Sequence, residues 1–338
     1  MSYYLYTETA FHHQGELEYA RKLIEATKDS GASGIKFQVI FNINNLTSSK
    51  HSKYEFLKTL EFSEKEWEEL FDYAIDLGLD LIIMPLDLEP FTLIEKYKKN
   101  IKFLEIHSVS FNDQQLKEKV KESGVPLILG AGGRTLEEIN QQISFFQQQV
   151  SVLMHGFQSY PSKIEHVRLE KISTLAKKFP KIAVGYADHS SYDSEFSVLS
   201  NDYAYLLGAR VFEKHITVDE GIERVDFEAA VSKDKIKKIN SRLNFLSTEI
   251  FSEIHREFSN LNEQEITYKN REKIAVASKD IKKGEELNKD NVCFKMIDKV
   301  SDYTKIHQLE HKIAIKDISF DEVILKKDIT RNERKTNY

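Results

Sequence analysis

Short apolar runs alternate with longer amphipathic stretches over roughly the first 250 residues of the chain. The runs are rich in β-branched residues and have the length of strands that are buried on both faces of a sheet. The stretches between them repeat apolar residues at the helical spacing, and one of them, 63–77, opens with a capping sequence at Ser63 and Glu66. The predicted strands are 3–9, 34–41, 79–85, 102–106, 126–130, 150–155, 182–187 and 209–216.

Strict alternation of strands and helices predicts an α/β fold with a parallel sheet and right-handed crossovers. Eight such units in about 250 residues are typical of a (β/α)₈ barrel, the TIM barrel. An open doubly wound sheet is the alternative, but no G-x-G-x-x-G follows the first predicted strand. We therefore predict a barrel over residues 1–249.

The pattern changes after the barrel. Residues 250–270 are polar and charged and are predicted to form a linker. Residues 271–331 combine strand-like alternation with a turn at Lys283 and Gly284, which predicts a small, mostly β domain.

Composition narrows the class of protein. The 338 residues carry 54 acidic and 48 basic side chains, a net charge of −6, which gives no support to a nucleic-acid partner. One cysteine, Cys293, excludes a disulfide within the chain. No signal peptide and no apolar run of about 20 residues is visible, so we expect a cytoplasmic protein without a membrane segment.

Candidate chemistry collects where the predicted strands end, which is where such barrels place their active sites. Glu105 and His107 are two residues apart on one strand and therefore share a face, as Lys36 and Gln38 do on another. Burying so many polar groups is costly, and their convergence favours an active site over isolated ion pairs. The set is Glu8, Lys36, Gln38, Glu105, His107, Ser108, His155, Gln158, Tyr160, Asp188, Glu213 and His215.

Two of these histidines, His155 and His215, are candidate metal ligands, because imidazole suits manganese, zinc, iron and cobalt. Taken alone, a histidine at such a position is more often a hydrogen-bonded residue at a strand end than a metal ligand.

Several stretches, in order along the chain, each carry a different short motif. They are TETAFHHQG at 7–15, KFQ at 36–38, MHGFQSYP at 154–161, GYADHS at 185–190, EKHIT at 213–217 and ASKDIKKGEEL at 277–287. Together they resemble the sialic acid (N-acetylneuraminate) synthase family, of which the chain would be a divergent member. The last stretch resembles the antifreeze-like (SAF-type) domain that follows the barrel in that family.

The resemblance implies a metal-dependent condensation of phosphoenolpyruvate with an N-acetylmannosamine-like hexose, giving a nonulosonic acid for surface polysaccharide. It implies that Glu8 is catalytic and that His155 and His215 bind a divalent ion, Mn²⁺ with Mg²⁺ or Co²⁺ as alternatives. It implies a homodimer in which each small domain covers the partner's barrel. Substrate contacts are implied for Lys36, Gln38, Tyr160 and Asp226.

The chain departs from the family where phosphate would bind. Glu105 stands in place of the family's phosphate-binding lysine, within the stretch that ends in His107 and Ser108. Like charges about 4 Å apart repel by several kcal/mol at an effective dielectric of about 20. Other polar family residues are replaced by Met84, Gly130, Ala187 and, in the small domain, Met296.

Ser108 and Lys36 remain, and the backbone of 130–133 offers N–H groups for an anion. Glu105 and His107 then either recognise the substrate or are additional polar ligands to the metal or to a cationic or hydroxylated substrate. The alternative is that Glu105 only pairs with Lys36 across the barrel. Two further functions stay open: an aldolase or lyase acting on a non-phosphorylated carbonyl compound, and a non-catalytic sugar-binding relative.

Overall fold

The structure, a computed structural model, describes residues 3–156, 159–251, 260–298 and 303–331. Its contacts divide the chain into two units, Met1–Ser252 and Glu253–Tyr338. The first unit is a closed barrel of eight parallel strands in sequence order, which confirms the predicted fold. The strands are β1 Tyr4–Glu8, β2 Gly34–Val39, β3 Asp80–Pro85, β4 Ile101–Ile106, β5 Leu127–Gly130, β6 Val150–Gly156, β7 Ala183–Asp188 and β8 Ala209–His215.

The barrel closes where β1 pairs with both β2 and β8. In this register Glu8 lies opposite Lys36 on one side and opposite His215 on the other. Because neighbouring residues of parallel strands in register point to the same face, these three side chains meet at the carboxyl ends of their strands.

Helices surround the strands. Their apolar faces pack on the outside of the sheet, where Leu23, Ile24 and Trp67 are almost fully buried. Each such side chain contributes about 1.5–3 kcal/mol through removal from water. The predicted capping box forms, with the Ser63 and Glu66 side chains each bonded to the other's backbone N–H.

The helices of the first unit are α1 Leu17–Ser30, α2 Ile43–Leu46, α3 Tyr54–Lys58, α4 Glu64–Asp76, α5 Phe91–Tyr97, α6 Gln114–Ser123, α7 Leu136–Phe146, α8 Ile164–Val167, α9 Glu170–Lys178, α10 Phe196–Leu206 and α11 Lys233–Phe245.

The second unit has a core of its own and is built from short elements. Helix α12, Glu263–Lys269, comes first. Two antiparallel pairs follow: β9 Ile274–Ala277 with β10 Val292–Lys295, and β11 Lys312–Ala314 with β12 Ile329–Arg331. Helix α12 lies in the segment predicted as a linker, and the boundaries 1–249, 250–270 and 271–331 stay predictions. In the part of the chain that the structure describes, no helix has the length and apolarity needed to cross a membrane.

Candidate active site and metal centre

Lys36 is the centre of the polar cluster inside the barrel. Its Nζ donates to Glu213 Oε2 at 2.7 Å and to Glu105 Oε1 at 3.0 Å, and lies 3.2 Å from Glu8 Oε1. The lysine is fully buried and the three carboxylates nearly so. An ammonium group has three N–H donors, so three surrounding carboxylates commit it to the protein. Pairing with Lys36, one of the roles that the sequence left open for Glu105, is therefore observed in the structure.

The charges in this cluster are unequal. Burial works to lower the pKa of Lys36, but the surrounding carboxylates outweigh it and hold the pKa well above its ordinary value. Burial raises the pKa of Glu213 well above its usual range, while at Glu8 the opposing effect of Lys36 and His215 brings the pKa well below it. Within the cluster Glu8 therefore ionises more readily than Glu213. The Tyr6 hydroxyl donates to Glu213 Oε2 at 2.6 Å.

Beside Lys36, four buried side chains form a group that can hold a metal ion: Glu8, His189, Glu213 and His215. One ligand atom from each lies within 4.8 Å of all the others. His215 Nε2 lies 2.8 Å from Glu8 Oε2, so these two groups are in direct contact. Imidazole nitrogens and carboxylate oxygens are both donor types that bind divalent ions.

The electrostatics of His189 also suit a metal ligand. Burial, and then the neighbouring His215, lowers the pKa of His189 well below its ordinary value. The ring is therefore neutral at pH 7, which is the form that binds metals. The rings of His189 and His215 meet edge to face, with centroids 4.9 Å apart.

His155, which the sequence analysis paired with His215 as a metal ligand, lies elsewhere. Its Nε2 is 2.8 Å from the carbonyl oxygen of Val167 in α8. Its neighbours Met154 and Gly156 line the barrel cavity, and successive strand residues point to opposite faces. His155 consequently points outward to the helix layer, and the metal-capable group contains His189 in its place.

Asp188, predicted to contact substrate, also points outward. Its Oδ2 accepts from Lys214 Nζ at 2.8 Å, and its Oδ1 accepts from the Ser190 N–H at 3.0 Å. Both charged side chains are fully buried. The pair ties β7 to β8 directly beside His189 and His215, so the structure gives Asp188 a positioning role.

A cavity of about 380 Å³ opens next to the cluster. Three of the predicted substrate-binding residues, Glu105, His107 and Ser108, are in its wall. A Cβ added to Gly130 would lie 2.2 Å from the Cβ of His107. His107 thus fills the space that a side chain at position 130 would need, so the glycine at that position makes room for it. The rest of the lining is Gly130, Gly132, Gly133, Arg134, Met154, Gly156 and Ala187.

The remaining predicted residues surround Glu8 and the histidines. Gln38 Nε2 donates to Glu8 Oε1 at 2.8 Å. The ring of Tyr160 packs against His189 and His215, with centroids 5.2 and 5.6 Å apart. Burial raises the pKa of Asp226. Gln158 lies outside the described residues.

Sequence reasoning missed three members of the site. Tyr6 was hidden because it is an ordinary strand residue. His189 stood in a quoted motif, GYADHS, but was given no role. Arg134 follows the glycine loop at 130–133, and the sequence analysis gave it no role.

Comparisons with known proteins agree with one another. The NeuB family pattern matches residues 23–250 and the SAF domain pattern matches residues 272–330. The chain is 32% identical over 295 residues to the uncharacterized protein MJ1065 of Methanocaldococcus jannaschii, covering 86% of this chain and 84% of that one. It is 27% identical over 336 residues to the N,N'-diacetyllegionaminic acid synthase of Campylobacter jejuni, covering 94% and 97%. A solved structure, the N-acetylneuraminic acid (sialic acid) synthetase of Leptospira borgpetersenii in complex with citrate, matches with a TM-score of 0.70 at 26% identity, covering 80% and 92%.

Proposed function

The chain belongs to the NeuB family, and from this premise we propose that it condenses phosphoenolpyruvate with an N-acetylmannosamine-like hexose to give a nonulosonic acid. The observation that carries the proposal is the group of Glu8, His189, Glu213 and His215 beside an open cavity. Relatives named as synthases of such acids match most of the chain. The reaction is a carbon–carbon bond-forming transfer.

A divalent ion fits this group. Two imidazoles and two carboxylates are nitrogen and oxygen donors of the kind that Mn²⁺ accepts, with Mg²⁺ or Co²⁺ as alternatives. Such an ion would polarise a carbonyl oxygen as a Lewis acid.

The chain's own residues supply acid–base chemistry and orientation. Glu8 is ionised, so its carboxylate can accept a proton from a water molecule or orient it. Gln38 holds one oxygen of that carboxylate and leaves the other directed at His215. Lys36 holds the buried carboxylates close together by offsetting part of their mutual repulsion.

One observation favours a second function. Lys36 is committed to three carboxylates and Glu105 lies in the cavity wall, so among the described residues the inner wall offers no free cation to a phosphate. An aldolase or lyase acting on a non-phosphorylated carbonyl compound would fit that wall.

The two functions are separated by a phosphate-release assay. Purified protein with Mn²⁺ and phosphoenolpyruvate is tested against a panel of N-acetylated hexosamines, and we expect phosphate release that depends on the hexose. Glu8→Gln should abolish it, whereas Glu69→Gln, which changes an exposed carboxylate on α4, should not. No release with any hexose, together with binding of pyruvate, would favour the second function. Sugar binding alone would point to a non-catalytic relative.

We also propose a homodimer with exchanged small domains, on the family resemblance. The loss of the family arginine at Met296 bears on the site and not on assembly. Light scattering at micromolar concentration tests this, and a monomeric mass would contradict it.

A further inference from the structure

We propose that Arg134, with the backbone N–H groups of Gly132 and Gly133, binds the phosphate of the donor at the outer wall of the barrel cavity. The inference rests on the proposed function and names the group that recognises its phosphorylated substrate.

The cavity has two charged lining residues of opposite sign. Glu105 forms the inner wall, and Arg134 lies in the part formed by the loop that leads from β5 to α7. The carboxylate of Glu105 is paired with Lys36 Nζ at 3.0 Å and accepts from the Tyr6 hydroxyl at 3.3 Å. Lys36 therefore offsets part of the repulsion that Glu105 exerts on an anion in the cavity. Because its ammonium is shared among three carboxylates, the attraction for an anion has to come from the outer wall.

Arg134 is held in place while donors remain free. Its guanidinium stacks over the ring of Phe111, 4.0 Å from the centroid. One nitrogen donates to the Ser108 carbonyl at 3.3 Å and another to Glu138 at 3.4 Å. A guanidinium has five N–H donors in a planar fork, so most of them stay available for a phosphate. Stacking lowers the entropy that binding would otherwise cost.

The neighbouring backbone adds neutral donors. Gly133 has a φ of +67°, and a Cβ on Gly132 would lie 2.1 Å from the Gly156 carbonyl oxygen, so the loop runs close to β6 only because it is glycine. Among the residues that the structure describes, none accepts a hydrogen bond from the backbone N–H of Gly132 or Gly133. Adjacent N–H groups of this kind bind anions.

A third observation points to a ligand in the same cavity. The buried Nδ1 of His107, whose side chain is in the cavity wall, has no hydrogen-bond partner among the described residues. A buried polar atom is normally satisfied. A substrate oxygen would supply the missing partner.

Calorimetric titration of phosphoenolpyruvate and of pyruvate into the Mn²⁺-loaded protein tests the inference. Arg134→Ala should weaken phosphoenolpyruvate binding by about ten- to one-hundred-fold, the factor expected when a charge-assisted hydrogen bond is lost. Arg134→Lys should recover part of that loss, and pyruvate affinity should stay the same in all variants. Arg21→Ala is the matched control, because Arg21 also pairs with a glutamate and stacks on a ring, but on the outer surface. Unchanged Mn²⁺ affinity shows that each variant is folded.

Unchanged phosphoenolpyruvate binding in Arg134→Ala, or no binding by the unmodified protein, would overturn the inference. A parallel titration with N-acetylmannosamine 6-phosphate identifies the source of the phosphate. Dependence on Arg134 for that sugar and not for phosphoenolpyruvate would overturn the assignment to the donor. Failure of the proposed function is recognised separately: phosphoenolpyruvate would bind through Arg134, but no hexose would cause phosphate release.

Discussion

Replacing Lys36 with methionine removes the cation that faces Glu8, Glu105 and Glu213. At 3.0 Å from Glu105 and 3.2 Å from Glu8, each of these two charge pairs is attractive by about 5–6 kcal/mol at an effective dielectric of about 20. Glu213, whose pKa burial raises, adds a hydrogen bond at 2.7 Å. Most of that attraction offsets the cost of burying the charges. Removing one partner of a buried pair leaves the others uncompensated and costs about 3–5 kcal/mol. We expect Lys36→Met to lower the free energy of unfolding of the barrel by that amount.

The loss should depend on pH in a defined direction. Lys36 depresses the pKa of Glu8, and a depressed carboxylate stabilises the folded state above the unfolded pKa of about 4.5 and loses that contribution as pH falls. Without Lys36 the carboxylates take up protons more readily. The difference between the variant and the unmodified protein should therefore be larger at pH 8 than at pH 5.

Urea unfolding followed by tryptophan fluorescence measures the effect. Trp67 is the single tryptophan and is buried in the barrel, so the signal reports on that unit. Adding Glu105→Gln to Lys36→Met removes one uncompensated charge and should recover about 1–2 kcal/mol, a coupling that a double-mutant cycle isolates. A loss below about 1 kcal/mol for Lys36→Met, or a strictly additive double variant, would refute this account of the cluster.

Three further predictions concern neighbouring parts of the barrel. Burial lowers the pKa of His12 to about 4, so the contribution of this neutral histidine to stability is complete above its unfolded pKa of about 6.5 and is lost as pH falls towards 4. At pH 5 the loss in the free energy of unfolding is about 2 kcal/mol. In urea unfolding, a His12→Asn variant with an equally steep pH dependence of stability would contradict this. In calorimetry, His189→Ala should abolish Mn²⁺ binding, whereas His155→Ala, which changes an outward-pointing histidine, should change the Mn²⁺ affinity by less than about twofold. The reverse result would identify His155 as the ligand. Gly130→Ala should lower the free energy of unfolding by about 1–3 kcal/mol, because the new methyl group overpacks against His107, and adding His107→Gly should restore that stability. An unchanged melting temperature for Gly130→Ala would contradict this, because it would mean that the backbone moves to accept the methyl group.

Much of the fold could be read from the pattern alone. The switch between period 2 and period 3.6 gives eight strand–helix units, and parallel units of that number and size close into a barrel. The motifs carry the family, and the comparisons confirm it. The sequence also indicated most of the polar residues of the site, because charged groups stand out at the ends of otherwise apolar strands.

Only the tertiary structure decided which of those groups meet. Lys36 pairs with Glu105 and Glu213, which are 69 and 177 residues away in the sequence. This pairing offsets part of the charge repulsion that the sequence predicts at Glu105. The tertiary structure also decided that His189 joins His215 and that His155 does not. Barrel strands are buried on both faces and read as nearly continuous apolar runs, so their sequence does not distinguish a residue that points into the barrel from one that points to the helices. That direction is fixed by the register in which the eight strands close, and the register belongs to the whole fold.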